Sequence, residues 1–490
     1  MPRSTKIVAT QGPASSDPQM LERMIAAGAD VIRFNFSHGG DEADRLARAK
    51  TVREAARKAG REVGILVDLQ GPKIRVGRFA GGKVQLAAGD RFVLDPSCTL
   101  GNAERAGLDY HDLPRDVKGG DVLLLNDGLI VLDVERVLGQ EIHTVVRAGG
   151  ELADKKGINK QGGGLSASAL TEKDARDIEI ALKCGADFIA VSFVKSRGDV
   201  ELARRLAARA GAARGATPLI IAKIERAEAI ATLDAIVAAA DGIMVARGDL
   251  AVEVGNARVP ALQKRMIAAA RKAQKLAITA TQMMESMILS PQPTRAEVSD
   301  VANAVLDGTD AVMLSAETAV GRYPLETIEA TAAIVTEADR SEQVELDLQF
   351  LNQTFSKVDQ SIAYGALFTA YHLRCAAICT LTESGQTSLW MSRHDVDVPI
   401  YALTPIESTQ RRLALYRNVH PVFMGRTNDR EGALRAAERI LLEQGAVKRG
   451  DLIVLTVGEP MGQPGGTNTL KIVRVGDHAG VSWRLTPGVS

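Results

Sequence analysis

The chain has 490 residues, 46% hydrophobic and 24% charged, an ordinary soluble composition with length for about two to four domains. Its 60 basic residues equal its 60 acidic ones, which excludes a general attraction to nucleic acid or to an anionic membrane, so any anion must be bound locally. Four scattered cysteines, Cys98, Cys184, Cys375 and Cys379, argue against a disulfide framework, and no apolar run reaches the ~20 residues that span a bilayer. The start, MPRSTKIVAT, has no signal-peptide core. A reduced, cytoplasmic setting is expected.

In chain order the first pattern is strand, helix, strand. TKIVAT is a β-type run. DPQMLERMIAAGA is a helix with Asp17 as N-cap, Pro18 in the first turn, Met20, Leu21, Met24 and Ile25 as its apolar stripe, and Gly28 as its end. DVIRFNF and EVGILVDL are the next strands, with a helix between them. From about Pro72 to Gly164 the style changes to short alternating runs between Gly and Asp turns, which predicts a small antiparallel β-domain, an inserted small β-barrel. It ends in KKGINKQGGGLSAS, a glycine-rich hinge.

Strand–helix alternation then resumes. DFIAVSF, LIIAKIE, GIMVARGD, LAITATQ and AVMLSAE are near-continuous apolar runs, as in parallel strands buried on both faces. Three strands before the insert and five after it are the count for a (β/α)₈ TIM barrel. The barrel is expected over 1–70 and 166–341, the insert over 71–165, a linker over 342–355, and a C-terminal open α/β domain over 356–480.

In such barrels chemistry sits at the C-terminal strand ends. Those ends carry Arg33, Asn35, Ser37 and His38; Asp68 with Lys73 and Arg75 beyond; Ser192; Lys223 and Glu225; Arg247, Gly248 and Asp249; Thr281 and Gln282; Ser315 and Glu317. One charged loop residue is ordinary; seven strand ends sharing a mouth point to a site. Glu225 and Asp249 are two hard carboxylates on adjacent strands, a donor set for Mg²⁺ with Mn²⁺ as the alternative. Arg33, Arg75, Lys223 and Arg247 are the cations a phosphate needs. No Walker motif is present, so a nucleotide would be held by the mouth and the insert, which offers LNDG with Asp127 and DKKG with Lys155 and Lys156. Phosphoryl transfer needs mainly positioning and charge neutralisation. A lyase or carboligase on the same metal site, and a ligand-sensing scaffold, are the competing readings.

At these residues the chain resembles the pyruvate kinase family. IRFNFSHG, DLQGPKIRVG, IIAKIERAEAI, GIMVARGDL, ITATQMMESM, PTRAEVSDVANAVLDGTDAVMLSAET and TNTLKIVRV are similar to its signature stretches, in order and over nearly the whole chain. The resemblance implies the same three-part fold, a homotetramer, and transfer of the phosphoryl group of phosphoenolpyruvate to ADP, giving pyruvate and ATP. By position it implies that Lys223 neutralises the phosphoryl group in flight and the enolate, and that Glu225 and Asp249 hold the divalent metal. Arg33 would bind the phosphate; Gly248 and Asp249 would offer amides to the substrate carboxylate. Asn35, His38 and Arg75 would lie near the nucleotide phosphates, and Lys156 would reach them from a closing lid. Thr281 would stand on the proton path to the enolate carbon.

Two departures stand out. Many members have glutamate at the position of Lys73 and a small hydroxyl residue at that of Leu69. Those members need K⁺, held by counterparts of Asn35, Ser37 and Asp68. Lys73 is expected to replace the cation, leaving K⁺ not required. In the C-terminal domain, TLTESGQTS matches the family's effector-phosphate loop through Thr382, Ser384 and Thr387. Glu383 adds a negative charge there, and GEPMGQPGG lacks arginines for a second phosphate. The expected effector is a sugar monophosphate or AMP rather than fructose 1,6-bisphosphate.

Overall fold

The computed structural model describes residues 2–38, 40–212, 217–341, 354–427 and 429–477. Eight parallel strands close into a barrel in chain order. They are Lys6–Thr10, Val31–Asn35, Gly64–Asp68, Phe188–Val191, Leu219–Ile224, Gly242–Ala246, Leu276–Ala280 and Ala311–Leu314, here barrel strands one to eight. All eight are the apolar runs expected from the sequence. The first helix also forms as read: the Asp17 side chain accepts from the Met20 N–H at 2.8 Å, Pro18 opens the helix, and Gly28 ends it at φ 132°.

Side chains alternate along a strand with period two. Ile7, Ile32, Ile65 and Val67 face the surrounding helices. Val8, Val31, Leu66, Ala190, Ile221 and Met244 fill the interior. Stepping two residues on from these interior positions reaches Arg33, Asp68, Ser192 and Lys223. Strand parity therefore makes the polar strand-end residues the top layer of the barrel's own filling.

The insert forms a six-stranded sheet, in the order Ile158–Lys160, Val122–Leu125, Ile130–Leu138, Glu141–Ala148, Arg91–Leu94 and Arg105–Ala106, and a two-stranded sheet of Lys83–Leu86 with Gly150–Ala153. Phe92, Leu123, Leu125, Ile130 and Leu132 are among the residues of their common core. The expected small barrel thus takes the form of two sheets over one core, antiparallel except where Arg91–Leu94 meets Arg105–Ala106. The expected hinge contains the strand Ile158–Lys160 before its glycines.

The last domain is an open five-stranded sheet in the order Val419–Phe423, Ile400–Thr404, Ala377–Leu381, Leu452–Gly458 and Thr467–Arg474, the final strand antiparallel. Its core is continuous with the barrel interior: Tyr364, Trp390, Leu413 and Val419 belong to one cluster with Val8, Leu66 and Met244. Each such side chain contributes about 1.5–3 kcal/mol, so packing outweighs the exposed ion pairs, at about 0–1 kcal/mol each. Gly64 shows how close the two parts come, since a Cβ there would lie 2.9 Å from the Phe188 ring and 3.2 Å from the Arg411 carbonyl. Buried or half-buried ion pairs join the same floor: Arg393–Asp310, Arg411–Asp187 at 3.1 Å and Arg271–Asp395 at 2.7 Å. Of the expected linker, 342–353 lies outside the described residues. Among the described residues no helix is long and apolar enough to cross a membrane.

Candidate active site

Asp68, at the end of strand three, is the hub of the mouth. It is buried, with Arg33 Nε donating to its Oδ2 at 2.8 Å and Lys223 Nζ at 3.2 Å from its Oδ1. Burial pushes the Asp68 carboxyl up, but Lys223 and Arg33 outweigh it and hold the pKa below the usual carboxylate value. The Arg33 guanidinium also donates to the Thr10 hydroxyl at 2.9 Å, which donates in turn to the Leu314 carbonyl at 2.7 Å. Thr10 completes the ring of strand ends; the reading of the sequence passed over it.

Lys223 donates to the Ser192 hydroxyl at 2.7 Å and lies 3.4 Å from Glu225 Oε2. The Ser192 hydroxyl in turn donates to the Leu69 carbonyl at 2.7 Å, and Leu69 itself is buried. Burial pushes the Lys223 ammonium down; Asp68 and Glu225 more than offset this, and its pKa is raised. It is a fixed positive charge at neutral pH. Glu225 is buried, with one oxygen accepting from the Phe193 N–H at 2.7 Å. Its pKa is raised, chiefly by burial, with Lys223 opposing and Asp249 adding repulsion.

Lys73 is placed differently from the expectation. Its ammonium is 3.6 Å from Asp249 Oδ1, and among the described ion pairs it has none with Asp68. It therefore stands beside a candidate metal carboxylate rather than within the group formed by Asn35, Ser37 and Asp68. Asn35 accepts from the Ser37 N–H at 3.0 Å and its amide is 3.2 Å from His38 Nδ1. Arg75 donates to the Lys155 carbonyl at 3.0 Å, and the Lys156 carbonyl accepts from Val76 N–H, so both crossings of the insert are joined here.

One further expectation changes. Arg247 does not face a ligand: its guanidinium is spent on the Ala280 and Thr281 carbonyls and on Asp300 at 2.8 Å, holding the loop after strand seven. A strand-end position fixes where an arginine begins, not where its long side chain turns. The Gly248 N–H donates to Thr281 Oγ1 at 2.9 Å, which sets the amide expected to meet a substrate carboxylate beside the strand-seven threonine. Glu317 is likewise structural, accepting from the Ser315 and Met284 amides.

Backbone strain marks the same rim. Phe193, Thr281 and Gln282 have φ of 55°, 70° and 55°. Left-handed backbone costs a non-glycine residue about 1–3 kcal/mol, most for a β-branched one such as Thr281, and such strain gathers at functional sites. No alternation pattern reveals it.

In the C-terminal domain Thr382, Ser384 and Thr387 line a cavity of ≈ 150 Å³. Thr382 Oγ1 accepts from the Gly385 N–H at 2.9 Å, and Thr387 bonds Thr467 at 2.9 Å. Arg426 also lines this cavity, 3.0 Å from Glu383. No local pattern signals this pairing, because 43 positions separate the two residues. Cys375 and Cys379 are buried, and burial pushes both thiols up, Cys375 to about 11.

A closed parallel barrel whose mouth joins paired carboxylates to fixed cations, under a β-insert and over an α/β domain, defines a barrel enzyme. The family description "Pyruvate kinase, barrel domain" matches residues 2–328, and "Pyruvate kinase, alpha/beta domain" matches 360–473. The chain is 50% identical over 479 residues to Pyruvate kinase II of Salmonella typhimurium, covering 96% of this chain and 99% of that one. It is 48% identical over 462 residues to a pyruvate kinase of Haemophilus influenzae, covering 93% and 96%. The crystal structure of a pyruvate kinase from Cryptosporidium parvum superposes with a TM-score of 0.90 at 33% identity, covering 96% of each chain. The chain belongs to the pyruvate kinase family and is a phosphotransferase.

Proposed function

We propose that this enzyme transfers the phosphoryl group of phosphoenolpyruvate to ADP with Mg²⁺ and without K⁺. The supporting observation is the charge pattern of the mouth, where Asp68, Glu225 and Asp249 are matched by Arg33, Lys223 and Lys73. Glu225 and Asp249 fit a divalent metal: two carboxylates near enough for Asp249 to raise the proton affinity of Glu225 make a hard, negative site for a divalent cation and substrate oxygens. When bound, the metal would neutralise phosphate and enolate charge. Arg33 binds the transferring phosphate. Lys223, kept charged by Asp68 and Glu225 and aimed by Ser192, stabilises the negative charge that builds during transfer. The Thr281 hydroxyl, anchored between the Gly248 amide and the Ala280 carbonyl, orders the water that protonates the enolate carbon. The insert carries Lys156 and Arg75 to the nucleotide phosphates and excludes water as a lid.

K⁺ independence follows from the same balance. Asp68, the carboxylate of the group with Asn35 and Ser37, already has two cations, Arg33 and Lys223, so a monovalent ion finds no unmatched charge there, and Lys73 adds a further positive charge beside Asp249. Initial rates of ADP-dependent pyruvate formation with tetramethylammonium as the sole monovalent cation should fall within about twofold of those in K⁺. A rise of tenfold or more on adding K⁺, equivalent to about 1.4 kcal/mol, would show an unfilled cation site.

For regulation, we infer a monophosphorylated effector, a sugar monophosphate or AMP, in the cavity at Thr382, Ser384 and Thr387. Glu383 competes with it for Arg426. Replacing Glu383 with Gln should lower the half-saturating monophosphate concentration about threefold, the scale of one exposed ion pair. Strong activation by fructose 1,6-bisphosphate, with no response to monophosphates, would contradict this.

A further inference from the structure

The insert returns to the barrel through Gly162–Gly164, and two acidic residues receive it. The Gly162 N–H donates to the Glu253 carbonyl at 3.1 Å, and the Gly164 N–H donates to Glu228 Oε1. Between them Gly163, at φ 80°, lies flat against the Glu228 carboxylate: a Cβ there would sit 2.3 Å from Oε2. Glu228 Oε2 is itself buried with no partner among the described residues. This contact needs a residue without a side chain, and the glycine run supplies it.

The two acids sit on the elements that carry the candidate metal carboxylates. Glu228 is in the short helix Ala227–Ala231, which follows strand five and Glu225. Glu253 is in the helix Arg247–Val254, which contains Asp249. They are tied together: the Ala227 N–H donates to Glu253 Oε2 at 2.8 Å, and Arg226 lies 3.3 Å from Glu253 Oε1. The Arg226 guanidinium lies 5.6 Å from the ring centre of Phe193, whose N–H holds Glu225. The outgoing crossing meets the same assembly where Lys73 approaches Asp249. An amide bonded to a carboxylate is held about twice as strongly as one bonded to a neutral acceptor, and a glycine return offers no side chain for any other grip.

We propose that Glu228 is a positioning residue for phosphoryl transfer, a latch whose carboxylate holds the return strand of the insert and sets how Lys156 and Arg75 face the mouth. The proposal rests on the reading of the insert as a nucleotide-holding lid. Glu228 is outside the groups assigned to substrate, metal or nucleotide, so its effect is on placement.

The test compares Glu228→Ala with Glu228→Gln in the full-length protein, by amide hydrogen exchange of peptides over 158–165 and by steady-state kinetics. In Glu228→Ala, exchange there should rise about tenfold, the scale of one charge-assisted hydrogen bond, while the barrel helices keep their protection. The KM for ADP should rise by a similar factor and that for phosphoenolpyruvate by less than about twofold. Glu228→Gln keeps a carbonyl acceptor and should recover most of both. Unchanged exchange in Glu228→Ala overturns the latch, and faster exchange with an unchanged KM for ADP overturns its positioning role. Lys156→Ala tests the lid reading separately: an unchanged KM for ADP there sinks that reading, and the exchange result still judges the latch.

Discussion

Replacing Lys223 with methionine is expected to lower kcat by about 10²–10³ or more while leaving the protein folded. The activity term is the loss of a preorganised charge from a water-poor mouth, about 3–4 kcal/mol. The stability term is smaller. Asp68 keeps Arg33 as partner, with two contacts of 2.8 and 2.7 Å. Glu225 keeps the Phe193 amide, and its pKa is already raised, so it can take up a proton instead of standing as a bare buried charge. About 1–3 kcal/mol of stability is at stake, the cost of leaving a buried polar group short of one partner. Steady-state kinetics beside thermal unfolding separates the two. A kcat within tenfold of the parent would remove Lys223 from the centre of the chemistry, and a collapse of the melting transition would assign it a mainly structural role.

The largest stability effect is expected at Asp310, far from the mouth. This carboxylate, fully buried, accepts from both terminal nitrogens of Arg393, from the Arg417 N–H at 3.0 Å and from the Ala277 N–H at 2.9 Å. Arg393 is buried too, and among the described residues it would retain only the Lys275 carbonyl at 2.7 Å and the Ser392 hydroxyl without Asp310. Removing one partner of a buried pair costs about 3–5 kcal/mol. Asp310→Ala should therefore lower the unfolding temperature by roughly 6–20 °C, taking about 2–4 °C per kcal/mol for domains of this size. The double variant Asp310→Leu, Arg393→Met should regain part of that loss, because it leaves no stranded charge, while the Arg417 and Ala277 amides still lack their acceptor. Calorimetry decides it: a shift under about 2 °C in Asp310→Ala would mean that the pair is not a principal fastening of the floor.

The barrel was legible because parallel strands buried on both faces are written as apolar runs, and because chemistry at their ends follows from topology. Lys223, Asp68 and Arg33 meet as expected, since strand parity aims all three inward. What escaped the sequence was direction beyond the strand. Arg247 starts at the mouth but bends to the carbonyls of the strand-seven loop. Lys73 follows a Gly-Pro turn whose course sets its partner, and that partner is Asp249. The left-handed Phe193 and Thr281 carry no sequence signal, because neither residue type favours that conformation. Arg426 joins the cavity at Thr382, Ser384 and Thr387 through the packing of the sheet's strands.

The core shared by the barrel interior and the C-terminal domain has a consequence for how the molecule can move. A barrel closed at its base by a core shared with the next domain has a stationary floor, so the cavity at Thr382 and the strand ends are joined by continuous packing. The freedom left to the chain lies above, where only two crossings connect the insert. Under the proposed regulation, a signal from the C-terminal domain would have little to bend on its way and would be expressed at the top, in the angle at which the insert meets the mouth.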